Sequence, residues 1–99
     1  MNENSTFAGD PGLIRRAESV EEIPYGERIG LFGPGMDKVI ILNKTGTFLW
    51  SRLATPQNAS DLLHDLTQKF PTVASEVLAR DVGTFLDQLG AQGIIVRDT

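Results

Sequence analysis

Lys38-Val39-Ile40-Ile41-Leu42-Asn43-Lys44-Thr45-Gly46-Thr47-Phe48-Leu49-Trp50 changes its periodicity halfway along. Up to Leu42 it is a run of β-formers, apolar on both faces of a strand. Asn43 is a good helix N-cap, and the residues after it open a helix over about Thr45 to Leu53. Phe48 and Leu49 fall on one side of that helix, and Trp50 and Leu53 extend the side. A strand therefore runs directly into a helix, and the two halves of the chain divide there.

Upstream the texture is β-like. Gly33-Pro34-Gly35-Met36-Asp37 is a turn by its chemistry, since Pro sets φ and Gly supplies φ > 0. Before the turn, Arg28 to Phe32 places Ile29 and Leu31 on one face, so it pairs with Lys38 to Leu42 as an antiparallel hairpin. Leu13 to Ala17 is a third, weaker strand. Residues 1–11 are polar and turn-rich and are expected to form a flexible arm, leaving residues 12–99 as the domain.

Downstream the texture is helical. Ala54-Thr55-Pro56-Gln57 breaks the first helix. Asn58 caps the second, with Asp61 at its third position in the manner of a capping box. Leu62, Leu63, Leu66 and Phe70 form its apolar stripe, and Pro71 ends it. Thr72 is expected to cap a third helix over about Val73 to Leu89. Leu78, Val82, Phe85, Leu86 and Leu89 lie within a ~100° arc of that helix and predict core. Gly90 and Gly93 stop it, and Ile94-Ile95-Val96 reads as a closing strand. Strands followed by helices make an α+β fold, and short helices with a closing strand suggest a winged helix.

Composition narrows the chemistry. Ninety-nine residues form one domain, and 40% hydrophobic content argues against disorder. There is no cysteine and one histidine, His64, which removes thiolate metal sites, thiol catalysis and multi-histidine metal sites. No cofactor and no metal are expected. His64 points to water beside Asp61 and Asp65 on the second helix, which reads as a solvated face rather than a catalytic pair. No glycine loop opens a helix as a phosphate cradle would, so the sequence offers no enzyme. The formal net charge is −4, which disfavours nucleic acid and anionic lipid. The third helix carries Arg80 against Glu76, Asp81 and Asp87, a poor match to a DNA-reading helix. No apolar run is long enough for a membrane span, and Met1 to Asp10 lacks the pattern of a signal peptide, so a cytoplasmic protein is expected.

In this setting the chain resembles a known family. Leu42-Asn43, Thr45-Gly46, an apolar pair and Trp50 are similar to the "LN-x-T/S-G/A…(I/L)W" segment of PqqD-like proteins, the RiPP recognition elements. Asn58 to Leu66 resembles the family's "T-V-x-E-I-x-x-x-L" helix, with Asn for Thr and Asp61 for Glu. Asp81-Val82, Phe85-Leu86, Leu89 and Gly93-Ile94-Ile95 resemble its "DV..FL..L…GLL" tail. The resemblance covers about residues 12–96. The chain departs from the lasso-peptide members in lacking an aromatic-rich segment before Leu42-Asn43.

The resemblance implies a three-stranded antiparallel N-terminal sheet followed by a three-helix winged helix-turn-helix. It implies a non-catalytic peptide chaperone. The leader of a ribosomally made precursor would join the sheet beside the third strand, in a cleft against the third helix. The precursor would then be presented to a modifying enzyme, such as a radical SAM enzyme or a leader peptidase. On this reading Lys38, Val39, Ile40, Ile41 and Leu42 set the peptide's register. Val77, Asp81, Thr84 and Gln88 form the facing helix row, with Arg80 at its rim. Ala79, Gly83, Leu86 and Gly90 flank the core stripe on the other side, where small residues are expected to admit a neighbouring helix. Asp81 has a second reading, orienting the start of the first helix. Strand three does not declare its inward face, since Val39/Ile41 and Ile40/Leu42 are equally apolar. Such a strand could instead be covered by the N-terminal arm or by a second copy, so a monomer or weak homodimer is expected. The alternatives from other classes are a winged-helix DNA-binding regulator and a structural dimerisation module.

Overall fold

Glycines at the turns set the geometry of the sheet. In the computed structural model, which describes residues 12–98, Gly26 (φ +61°) opens the two-residue loop of a hairpin, and Gly35 (φ +84°) follows Pro34 in the next turn. That second turn is closed by the Met36 amide donating to the Gly33 carbonyl at 3.1 Å. Pro at the first central position and a positive-φ Gly at the second are what a type II turn requires. Three strands result: β2 (Glu21–Tyr25), β3 (Arg28–Phe32) and β4 (Ile40–Ile41), paired antiparallel in that order. Glu21 pairs with Phe32, Tyr25 with Arg28, and Gly30 with Ile41. A separate two-stranded sheet joins β1 (Ile14–Arg16) to β5 (Ile95–Arg97).

The three helices follow the strands: α1 (Lys44–Arg52), α2 (Ala59–Lys69) and α3 (Ser75–Ala91). Asn43 caps α1 by accepting from the Gly46 amide, and Asn58 caps α2 by accepting from the Asp61 amide, both as the sequence predicts. The inward stripe of α3 is Leu78, Val82, Phe85, Leu86 and Leu89, all buried, and it meets Leu49, Trp50 and Leu53 of the first helical segment and Leu62 and Leu66 of α2. Gly93 (φ +73°) turns the chain out of α3 toward β5.

The α+β class and the order of the elements are as expected; four details differ. The strand at residues 14–16 does not join the main sheet. It pairs instead with β5, and Ile14 exchanges backbone hydrogen bonds with Gln57 at 2.7 and 3.0 Å. The third member of the main sheet is β2, whose Glu-Glu-Ile-Pro-Tyr sequence has too little β character to be read as a strand. The strand expected at 38–42 is laddered only at Ile40–Ile41, because the turn occupies the residues before it. Helix α3 begins two residues late, with Ala74 rather than Thr72 at its N-cap and no side-chain cap. Residues 1–11 lie outside the described residues.

Candidate functional site

Strand β4 is an edge, and its register fixes where its backbone points. The Leu42 amide donates to the Ile29 carbonyl at 2.8 Å. Backbone groups of a strand alternate between its two neighbours. Leu42 and Ile40 therefore face β3, and the amide and carbonyl of Ile41 face the open side. Side chains alternate across the sheet in the same way. Ile40 packs against the core and Leu42 is buried, while Val39 and Ile41 are 37% and 44% exposed. The face that the sequence left open is thus Ile40/Leu42 inward.

The opposite edge of the sheet is blunted against strand addition. By the same register Glu21, Ile23 and Tyr25 of β2 direct their backbones to β3, so Pro24 presents its nitrogen to the outside. A proline has no N–H to offer an incoming strand. One edge is blunted and the other is left available.

The available edge opens onto a cleft of about 190 Å³ against α3. Ile41, Leu42 and Thr45 line one wall; Asp81, Thr84 and Gln88 of α3 line the other. The groove continues along β4 past Lys38, Val39 and Ile40 to Gln88 and Gln92. The structure thus brings together Lys38, Val39, Ile40, Ile41, Leu42, Asp81, Thr84 and Gln88. Val77 and Arg80 are exposed on α3 but lie outside the lining of either part. Met36, Asp37, Asn43, Thr45 and Gln92 also line the groove and were not read from the sequence. Gln92 had a signal, since it continues the Gln88 row by one turn. The others depend on how the turn and the helix N-cap fold.

Asp81 has a structural partner in the cleft. The Thr45 hydroxyl lies 3.3 Å from Asp81 Oδ2 and 3.1 Å from the capping Asn43 Oδ1. Asp81 thus sits at the first turn of α1, as its second reading anticipates, and keeps that wall of the cleft polar. On the other helix row one position departs from expectation. A Cβ added to Gly83 would meet nothing within 4 Å, so no close approach of a neighbouring helix depends on that glycine. On α2, His64 and Asp61 are exposed, and Asp65 pairs with Arg52 at 3.0 Å rather than with His64. Among the described residues no helix is long and apolar enough to cross a membrane.

The comparisons agree with this architecture. In overall shape the chain is similar to the solution structure of the PqqD truncation of Methylobacterium extorquens PqqCD, described as a functional and stand-alone RiPP recognition element. The TM-score is 0.72 at 15% identity, over 97% of this chain and 100% of that one. It is also similar to TbiB1, solved in complex with the TbiA(beta) leader peptide, with a TM-score of 0.69 at 16% identity over 82% of this chain and 93% of that one. Both likenesses are of fold. No curated protein sequence matches the chain. The family model for coenzyme PQQ synthesis protein D (PqqD) matches residues 29–95, two thirds of the sequence and all of the cleft. The chain belongs to the PqqD family.

Proposed function

We propose that this protein is a non-catalytic recognition element that binds the leader of a ribosomally made precursor peptide by strand addition to β4. The observation that carries the reading is the open edge at Ile41, lying beside a cleft whose far wall is Asp81, Thr84 and Gln88. Edge addition uses main-chain hydrogen bonds for affinity and alternate side-chain pockets for choice. Asp81 on α3 and Gln92 at its C-cap stand three turns apart, about 16 Å. An extended peptide covers that length in about five residues. The TbiB1 complex with its leader peptide supports the reading by fold, and family membership supports it by sequence. The bound precursor is presented to a modifying enzyme, such as a radical SAM enzyme or a leader peptidase, by a cytoplasmic monomer or weak homodimer.

The test is to identify a short precursor peptide in the neighbouring reading frames and to titrate its leader into the protein by calorimetry. N-methylation is placed at successive amides across the bound segment. Only alternate amides of an added strand face β4. Methylating one that does is expected to weaken binding by about 1–3 kcal/mol, and methylating its neighbour to do little. Equal affinity of the two peptides overturns strand addition.

A further inference from the structure

The sheet has a second face, turned away from the helices, to which all three strands contribute apolar residues. By alternation it carries Glu21, Ile23 and Tyr25 of β2, Gly30 and Phe32 of β3, and Val39 and Ile41 at β4, with Glu21 beside Phe32 at the end away from Arg28. Tyr25 and Ile41 are each 44% exposed. Gly30 allows its neighbours to meet over the middle strand. A Cβ there would stand 2.8 Å from Tyr25 Cε2 and 2.9 Å from Val39 Cγ1. This apolar row runs to the open edge of β4 and stops there. Arg28 marks its far end. The Arg28 Nε donates to the Leu42 carbonyl at 2.8 Å, which holds the guanidinium over the C-terminal end of β4. Among the described residues Arg28 forms no ion pair.

We propose that the peptide added at β4 is read on this outer face as well as in the cleft: it carries a bulky apolar residue beside Ile41 and a carboxylate two residues further on, toward Arg28. The inference rests on the strand-addition reading above. An added strand sends every second side chain to the outer face, directly beside its cross-strand neighbour on β4. An apolar residue there covers Ile41 and completes a row that otherwise ends exposed. The next outward position lies toward Arg28, whose anchored guanidinium complements a carboxylate. The whole chain carries a net charge of −4 and repels acidic peptides in general, so an acidic preference at one position has to come from a local cation.

A random-peptide phage library selected on the full chain tests this. The enriched peptides are then measured against Ile41→Thr, Arg28→Gln and Thr84→Glu, each checked for an unchanged melting transition. Thr preserves the branched Cβ that β4 favours. The peptides are expected to share a bulky apolar residue and an Asp or Glu two positions apart. They are expected to bind Ile41→Thr and Arg28→Gln roughly three- to fivefold more weakly, and Thr84→Glu more than about tenfold more weakly, by filling the cleft and adding a like charge beside Asp81. Peptides that lose Thr84→Glu yet bind Ile41→Thr and Arg28→Gln like the wild type overturn the outer-face inference and leave the cleft reading standing. Peptides indifferent to all three variants, or no enrichment at all, overturn both.

Discussion

Trp50 is held from two sides. Its Nε1–H donates to Glu22 Oε2 at 2.8 Å, and the Arg16 guanidinium carbon stands 4.3 Å from the centre of its rings. Arg16 also donates to the Trp50 carbonyl and reaches Glu22 at 3.1 Å, so one cluster ties β1, β2 and α1 together. Trp50 is 3% exposed, and its emission is expected to be blue-shifted in the native protein and to move red on unfolding. Trp50→Ala is expected to cost about 3–5 kcal/mol. Glu22→Ala leaves a buried indole donor without its acceptor, and denaturant unfolding is expected to show a loss of about 1–3 kcal/mol. A Glu22→Ala midpoint equal to wild type would show that the indole finds another acceptor. The burial of Trp50 is legible in the sequence from the apolar side of its helix. Its partner is not: Glu22 sits in a segment with two glutamates and a proline, and only the hairpin register turns it inward while Ile23 and Tyr25 turn out.

The same contrast holds for whole elements. Helices α1 and α2 are legible to within a residue or two, because Asn43 and Asn58 are strong local caps and the apolar residues recur at helical spacing. The start of α3 is less legible, since Thr72 offers a cap that the fold does not use and Pro71 and Thr72 spend themselves in a turn. For β4, composition is silent on which face is buried; the choice is made when Leu42 pairs with Ile29 and packs beneath the first turn of α1. In the cleft, Asp81, Thr84 and Gln88 are legible from helical spacing, whereas Asn43 and Thr45 become wall residues only because α1 starts at the end of the edge strand. A prediction belongs at this scale. Val77→Asp lies beyond the lined groove and is expected to weaken leader binding less than Thr84→Glu does. Asp61→Ala and His64→Ala, on the exposed side of α2, are expected to leave affinity within about 0.5 kcal/mol of wild type. Calorimetry across the four variants checks the order, and an outer-α2 variant that loses the peptide while Thr84→Glu keeps it would move the site to the other side of the domain.

At the scale of the molecule, three short helices and a closing strand form an arrangement that in other proteins addresses DNA, and charge distribution decides against that use here. A helix placed in the major groove needs cations for phosphates and polar side chains for base edges. Across Ser75–Ala91 the sole cation is Arg80, set against Glu76, Asp81 and Asp87. The closing strand β5 pairs with β1, whose Arg15 is matched with Asp98 at 3.4 Å and Arg16 with Glu22, so these cations are partly neutralised within the protein. With a net charge of −4 the long-range field repels a polyanion as well. Non-specific DNA affinity comes almost wholly from counterion release by clustered cations, and this surface has few to offer. Fluorescence anisotropy with a random-sequence duplex at about 0.15 M salt is therefore expected to show no binding, whereas the leader peptide, held by main-chain hydrogen bonds and apolar contacts, is expected to bind with little salt dependence. Micromolar duplex binding that falls steeply with salt would mean that Arg80 and the cations of β1 act together despite the ion pairs of Arg15 and Arg16, and would return the fold to its nucleic-acid role.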